Sequence, residues 1–392
     1  MHRLLRWLPA FLLLPFMLQA FLPEPPEPVV IPAAFRWRNS SWLDGAESQA
    51  IETNGLQRVY LKLLDIDWNS AHGAHPISSA RVPHQWRSSW GYPGNWKDKV
   101  ELVPSIYITN GTFLKLSDAE VAELATKLLR KLRMECPETI HGVLLDCDWT
   151  EKTRKPFFHL TRIMNDSLDV PLTVTIRLHQ YAQPAKTGVP PADRGMLMPY
   201  NVGRLTAPGT SNSIFNEATA APYFTSNEPY PLPLDIGLPA FSWGVQFRKG
   251  TFLGILREEE VDRAIDLGLV TGRSGGLLQV VNEDNDQMPA LHLGDEIRVE
   301  KISPQVLKQV AGLASQAVNS DTLAVAYFET GTHNFQGYSR AVVRDGFTRF
   351  GRLRTSPFFD NGAIMEEAEV KIDTMWIVPD TTMLEPVMDS TR

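Results

Sequence analysis

The run Gly142-Val143-Leu144-Leu145-Asp146-Cys147-Asp148-Trp149 decides the fold. It is apolar until two acids arrive at alternate positions. A strand period of two puts Gly142, Leu144, Asp146 and Asp148 on one face and Val143, Leu145 and Cys147 on the other. The second face is expected to pack against helices. The first lines a barrel interior, with Asp146 and Asp148 stacked near its mouth.

Outward from this run the chain repeats one unit: a short apolar stretch rich in β-branched or aromatic residues, a polar loop, then a helical stretch. Such alternation predicts parallel strands joined by crossover helices. The other expected strands are Ala34–Arg38, Arg58–Asp67, Leu102–Thr109, Leu172–Tyr181, Gly195–Asn201, Ile236–Phe247 and Leu323–Glu329, with His141–Asp148 as the fourth. Eight such strands close an α/β (β/α)8 TIM barrel. The clearest helix is Ser117–Leu132, with Ser117 as N-cap, Glu120 completing a capping box, and Val121, Leu124, Leu128 and Leu132 on one face. Arg204–Leu234 reads as a long loop, and Gly294 and Asp295 separate alternating segments within Leu277–Ile302. These predict a small α+β insertion, residues 250–320, between strands 7 and 8 of a barrel spanning 34–345. Residues 346–392 are left as a C-terminal extension, with Glu369–Val378 as a further strand candidate.

The first residues set the compartment. Arg3 and Arg6 precede an apolar stretch, Leu8 to Leu22, and Pro23 to Pro28 then abandons hydrophobicity, which is the order of a secretory signal. Residues 1–22 are therefore expected to export the chain to the periplasm, the cell surface or the medium. Ala20 suits cleavage and Leu18 suits it poorly, so an uncleaved anchor that tethers the protein to a membrane stays open. Residues 23–33, rich in proline, read as a linker.

Composition narrows the partners. Net charge −7 with 43% hydrophobic residues describes a mildly acidic globule. No basic patch is large enough to track a phosphate backbone, which excludes nucleic acid. Cys136 and Cys147 are the only cysteines, and a strand between them would hold them beyond disulfide reach. Both thiols are expected free and mostly buried.

Barrel enzymes place their chemistry at the carboxyl ends of the strands. Two carboxylates in a partly dry site push their pKa values apart, so that one holds a proton while the other stays charged. Asp146 and Asp148 have that spacing. Asp65 and Asp67 end the second strand in the same alternation, either for substrate hydroxyls or as loop caps, and no metal is assigned because further ligands are lacking nearby. Arg177 and His179 share a face with Thr175 and Tyr181, and Arg177 is a salt partner for Asp146 or a substrate contact. Glu329, ending the last strand, is the runner-up carboxylate. Trp68, Trp86, Trp90, Tyr92 and Trp96 crowd one loop, as sugar-stacking faces or as a hydrophobic cluster pinning that loop. Trp243 is a further candidate for a subsite floor.

Here the sequence resembles the chitinase-like glycoside hydrolases, which cleave β-linked N-acetylglucosamine polymers. Their fourth strand carries a glycine followed by acids two, four and six positions on, the last a glutamate that donates the proton. The matching positions here are Leu144, Asp146 and Asp148, so one acid is absent and the donor position holds the shorter aspartate. Met198-Pro199-Tyr200-Asn201 is similar to the family's sixth-strand motif, whose tyrosine and amide or acid hold the sugar's acetamido group. Gly237-Leu238-Pro239-Ala240-Phe241 is similar to its seventh. Asp146-Cys147-Asp148-Trp149-Thr150, Gly188-Val189-Pro190-Pro191 and Met198-Pro199-Tyr200-Asn201 together resemble, more closely, a family of exported bacterial TIM-barrel proteins distantly related to these hydrolases, which brings no established activity. The resemblance implies a glycoside hydrolase-like protein acting on a polysaccharide, with amino sugars among the candidates. Asp148 would be proton donor and Asp146 its charge tuner. Tyr200, Asn201, Met198, Asp65, Asp67, Arg177, Trp149, Trp243 and Glu329 would contact substrate, and no cofactor is implied. The rival expectation is a non-catalytic polysaccharide-binding barrel of the cell envelope.

Overall fold

The computed structural model describes residues 26–39, 43–83, 86, 99–136, 139–226, 228–284 and 286–355. Within them each apolar run becomes a strand: β1 (Val29–Arg36), β2 (Arg58–Asn69), β3 (Gly73–Ser79), β4 (Glu101–Ile108), β5 (Val143–Asp146), β6 (Leu172–Arg177), β7 (Arg194–Met198) and β8 (Leu234–Pro239). β9 (Ser242–Arg248), β10 (Thr251–Arg257), β11 (Val270–Arg273), β12 (Leu277–Val280) and β13 (Glu296–Lys301) follow, then β14 (Thr322–Phe328) and β15 (Arg352–Leu353). The parallel order β1-β2-β4-β5-β6-β7-β8-β14 closes on itself, because β1 pairs with β14 (Val29↔Thr322) on one side and with β2 (Ala33↔Arg58) on the other. The chain is a (β/α)8 barrel. β3 folds back antiparallel on the end of β2 and carries that edge beyond the barrel.

Helices cover the outside for the reason their sequences give. In the helix Asp118–Glu135 the Ser117 amide donates to Glu120 Oε2 at 2.8 Å and the Glu120 amide donates back to Ser117 Oγ at 3.4 Å, so orphan N–H groups of the first turn are satisfied. Val121, Leu124, Leu128 and Leu132 are its buried face. Two clusters of buried side chains result, one for the barrel and its helices and a smaller one around Val261, Ala264, Leu291 and Ile297 in the insertion. That insertion is a five-stranded antiparallel sheet, order β10-β9-β13-β12-β11, with the helix Glu258–Asp266.

Several boundaries differ from expectation; β5 ends at Asp146 rather than Asp148, and β7 at Met198 rather than Asn201. β1 starts at Val29, so residues 29–33 of the expected linker are barrel wall. Pro32 has no N–H to give the ladder, and its carbonyl accepts from the Gln57 amide at 2.7 Å. The expected strand Leu172–Tyr181 stops at Arg177 and turns into a short helix, Leu178–Ala182. Gln180 drives the turn: its Oε1 accepts from the Arg177 amide at 2.7 Å and its Nε2 donates to the Trp149 carbonyl at 3.0 Å. The expected strand Ile236–Phe247 is two strands, one in each sheet, so the insertion starts at Ser242. At the other end the helix Arg340–Thr348 and β15, which pairs with β1, belong to the barrel, so the boundary expected at 346 falls inside it. Segment 1–22, Trp90, Tyr92, Trp96 and Glu369–Val378 lie outside the described residues. Among the described residues no helix is long and apolar enough to cross a membrane.

Candidate active site at the barrel mouth

Register fixes which side chains face inward. The Tyr60 hydroxyl of β2 meets the Asp235 carboxylate of β8 at 3.4 Å, although two strands separate them in the wall, so both point into the barrel. Paired positions share a face, and the pairings Tyr107↔Asp146, Thr175↔Met196 and Met196↔Asp235 carry that inner face round to Tyr107, Asp146 and Thr175. Asp65 joins them by a different route. Strict alternation from Tyr60 would turn Asp65 and Asp67 outward. A bulge between Lys62 and Leu64 shifts the register by one residue and pairs Asp65 with Tyr107. The bulge is what puts two more carboxylates at the mouth.

The resulting cluster is rich in acid. Asp146 accepts the Thr175 hydroxyl at 2.7 Å. Burial pushes the Asp146 carboxyl up; Arg177 opposes this and Asp148 adds to it. Asp148, whose side chain is 49% exposed, is ion-paired with Arg177, and the guanidinium Nη2 makes a second contact at 3.4 Å. The expected salt partner of Asp146 thus bonds Asp148 instead, two residues past the end of β5. Lys62 Nζ lies 2.5 Å from Asp65 Oδ2, while Asp65 Oδ1 is buried with no protein partner. Asp67 accepts the Thr109 hydroxyl at 2.7 Å, and that bond holds its carboxyl below the usual range. Tyr107 stands between these acids; burial, with Asp146 and Asp148 alongside, pushes its phenol up to about 12. Among the described residues no group of three or more His, Cys, Asp or Glu is placed to hold a metal ion.

Aromatic rings wall the mouth. Phe328, at the end of β14, packs on Phe35, Trp37, Tyr200 and Phe241, with centroids 5.4 to 6.3 Å apart, and Phe241 packs on Trp243 at 5.1 Å. Tyr200 is 5% exposed and its hydroxyl lies 3.0 Å from Met198 Sδ, which makes it floor and Met198 the layer beneath. Asn201 follows at φ 59°, a left-handed conformation that asparagine tolerates, and is exposed. Trp243 is half-buried, its indole N–H donating to Glu300 at 2.8 Å. Glu329 accepts the Trp37 amide at 2.6 Å, and burial raises its carboxyl.

Several expected contacts move. Trp149 is fully buried, stacked on Phe157 at 5.3 Å with its N–H donating to the Thr187 carbonyl, so it is core and cannot reach a sugar. Met198, 3% exposed, is likewise buried, its Sδ against the Tyr200 hydroxyl. Trp86 is buried and Trp68 lies under Lys115. His179, on the helix after β6 rather than in a strand, is exposed; Tyr181 packs on Phe224 and Tyr230. No disulfide joins Cys136 to Cys147, and burial raises the Cys147 thiol. Tyr107, Lys62, Trp37 and Phe328 were not anticipated. The alternation that found Asp146 would have found Tyr107 had it been applied to β4.

No protein-family model matches the chain, and no curated protein matches it. Among solved structures it is similar to the spore cortex-lytic enzyme SleL of Bacillus cereus: 13% identity over 86% of this chain and 77% of that one, TM-score 0.48. It is also similar to a chitinase from Bacteroides thetaiotaomicron (11% identity, 83% and 96% coverage, TM-score 0.48). A third is a chitinase from Chromobacterium violaceum (14% identity, 82% and 99%, TM-score 0.45). At these identities no residue inherits a role.

Proposed function

We propose that this chain is a glycoside hydrolase-like protein, exported and acting on a polysaccharide, with Asp148 as proton donor and Asp146 as the buried neighbour that tunes its charge. One observation carries the reading: a buried carboxyl held toward its protonated form stands directly behind an exposed one, at the carboxyl ends of the strands. Glycosidic cleavage needs an acid at the departing oxygen, and paired carboxyl groups in a partly dry site supply one. In the resting site Arg177 occupies Asp148, so donation requires that pair to open as the saccharide enters and the proton favoured on Asp146 to pass to Asp148. Tyr200 and Asn201 would hold the sugar near the anomeric carbon, with Asp65, Asp67 and Glu329 available to its hydroxyls. Trp243 offers a ring face, since axial hydrogens of a pyranose cover an aromatic face well. Residues 1–22 would carry the chain out of the cytoplasm or tether it to the membrane.

The Arg177–Asp148 pair also favours a second reading, a polysaccharide-binding barrel without catalysis, because a side chain already bound by a guanidinium is not free to reach a glycosidic oxygen. Initial rates on bacterial exopolysaccharides and amino-sugar polymers, with binding measured by calorimetry, separate the two. Under the first reading Asp148→Asn lowers turnover ~10²–10⁴-fold and leaves affinity intact. Undiminished turnover in that variant sinks the donor role; tight binding with no product from any variant moves the assignment to the second reading.

A further inference from the structure

The insertion grips the mouth through one buried ion pair. Arg298 and Glu300, both on β13, are 5% and 1% exposed, with Arg298 Nε 2.6 Å from Glu300 Oε1. The other carboxylate oxygen, Oε2, accepts three bonds: from the Ser213 amide at 2.9 Å, the Ser213 hydroxyl at 2.6 Å and the Trp243 indole N–H at 2.8 Å. The guanidinium donates to three backbone carbonyls of the segment that follows β7, those of Ala207 (2.7 Å), Pro208 (3.3 Å) and Leu205 (3.0 Å). Its flat face lies over Phe247 at 5.1 Å.

That segment begins at the site. The Asn201 amide donates to the Ile214 carbonyl at 2.6 Å and the Gly203 amide to the Ser213 carbonyl at 3.0 Å, so residues 201–214 fold back on themselves. The approach at Gly203 is too close for a side chain: a Cβ there would lie 2.6 Å from the Ser213 Cα. Ser213 accepts from Gly203 and adjoins Ile214, which accepts from Asn201, so it ties this turn to Glu300, and Glu300 ties the turn to Trp243. A planar guanidinium with five fixed donors and a carboxylate with two oxygens make a junction that holds its partners in one geometry. Polar groups this thoroughly satisfied make few alternative arrangements available.

We propose that Arg298 and Glu300 are positioning residues that set one wall of the mouth, fixing the Asn201 backbone and the Trp243 ring together, and thereby govern affinity for an extended saccharide rather than the chemical step. The saccharide half rests on the proposed function; the wall-setting half does not. The pair reaches substrate only through Asn201 and Trp243. Loosening the junction therefore weakens binding in ground state and transition state alike, which raises KM and leaves kcat in place.

The test uses the full chain with Glu300→Ala and the milder Glu300→Gln, which keeps a carbonyl acceptor. Three readouts apply: trypsin cleavage after the exposed Arg204, located by mass; the 19F resonance of 5-fluorotryptophan at position 243, assigned with Trp243→Phe; and kcat and KM, or Kd, for a hexamer of β-1,4-linked N-acetylglucosamine. Expected in Glu300→Ala are cleavage at Arg204 at least tenfold faster, a displaced Trp243 resonance, and KM about tenfold higher with kcat unchanged, each recovered in part by Glu300→Gln. Should Glu300→Ala fail to fold, Glu300→Gln carries the same signs at smaller size. Unaltered cleavage and resonance in both variants overturn the positioning role. A moved resonance and faster cleavage with unchanged hexamer affinity overturn the saccharide half. Failure of the wild type to bind any glycan is instead the failure of the proposed function, and the first two readouts still decide the positioning role.

Discussion

The two ends of this barrel hold similar residues and spend them differently. At the base Glu101 lies between Arg58 (2.6 Å) and Arg354 (2.7 Å), and Asp235 takes Arg194 at 2.8 Å, the Ala324 amide at 2.8 Å and the Tyr60 hydroxyl. Although burial pushes the Glu101 carboxyl up, Arg58 and Arg354 hold it below the usual range. Both of these acids have their cations, and Asp235, Arg58 and Arg194 line a cavity of about 110 Å³. At the mouth Asp65, Asp67, Asp146 and Asp148 share Lys62 and Arg177. One acid is pushed up and one carboxylate oxygen is unpartnered. Saturated pairing is what a fold needs, and unsaturated pairing is what a ligand can use. The base reads as stability and the mouth as function.

The largest expected effect breaks the base. Asp235→Ala strands the buried Tyr60 hydroxyl and Ala324 amide and unpairs the half-buried Arg194, and each buried polar group left without a partner costs about 1–3 kcal/mol. Urea unfolding should show that loss as a lower midpoint at unchanged slope. A variant within 0.5 kcal/mol, roughly the scatter of surface changes, would erase the contrast between the two ends.

Next in size is a change at the mouth that leaves the fold alone. Tyr200→Phe keeps the ring packing with Phe241 and Phe328 and removes a hydroxyl whose described partner is a thioether, a weak acceptor. Stability should hold, while kcat/KM on the glycan falls by roughly 1 kcal/mol, about fivefold, if that hydroxyl turns to the sugar. Lost stability with full activity would make Tyr200 a structural residue only.

The sequence made much of this division legible because the barrel obeys one rule. Alternation placed Asp146 inward, and a capping box marked the start of the helix Asp118–Glu135. Misreadings arose where local chemistry overrides period. Asp65 and Asp67 do reach the mouth as expected, but through a one-residue bulge after Lys62 that no turn residue advertises. Gln180 caps a helix inside what reads as strand, which carried His179 and Tyr181 off the inner face. Trp149 lies beyond the last paired residue of β5, where alternation has stopped, and its indole finds Phe157 in the core. The wall made by Phe328, Trp37 and Tyr200 joins the end of β14, the residue after β1 and the second residue after β7, a meeting that exists only once the barrel closes.

The smallest expected effect has the opposite sign from the first and tests the contrast most directly. A carboxyl whose folded pKa is raised binds more protons folded than unfolded, so stability falls as pH climbs from its unfolded value, ~3.9 for aspartate, through the raised value. Asp146 is raised chiefly by burial, so at pH 7 its ionised form weighs against folding. Asp146→Asn keeps the shape and the acceptor for the Thr175 hydroxyl while removing the charge. It should raise stability at pH 7 by on the order of 1 kcal/mol, and the gain should vanish below the unfolded pKa, where the wild-type carboxyl is protonated in both states. Urea midpoints of the two proteins at pH 3, 5 and 7 measure it. Glu329, also raised by burial, is present in both proteins and cancels from the difference. A loss of stability at pH 7 comparable to that of Asp235→Ala would mean that Arg177 stabilises the ionised Asp146 more than burial penalises it. The mouth would then be as saturated as the base, and the electrostatic case for catalysis there would go with it.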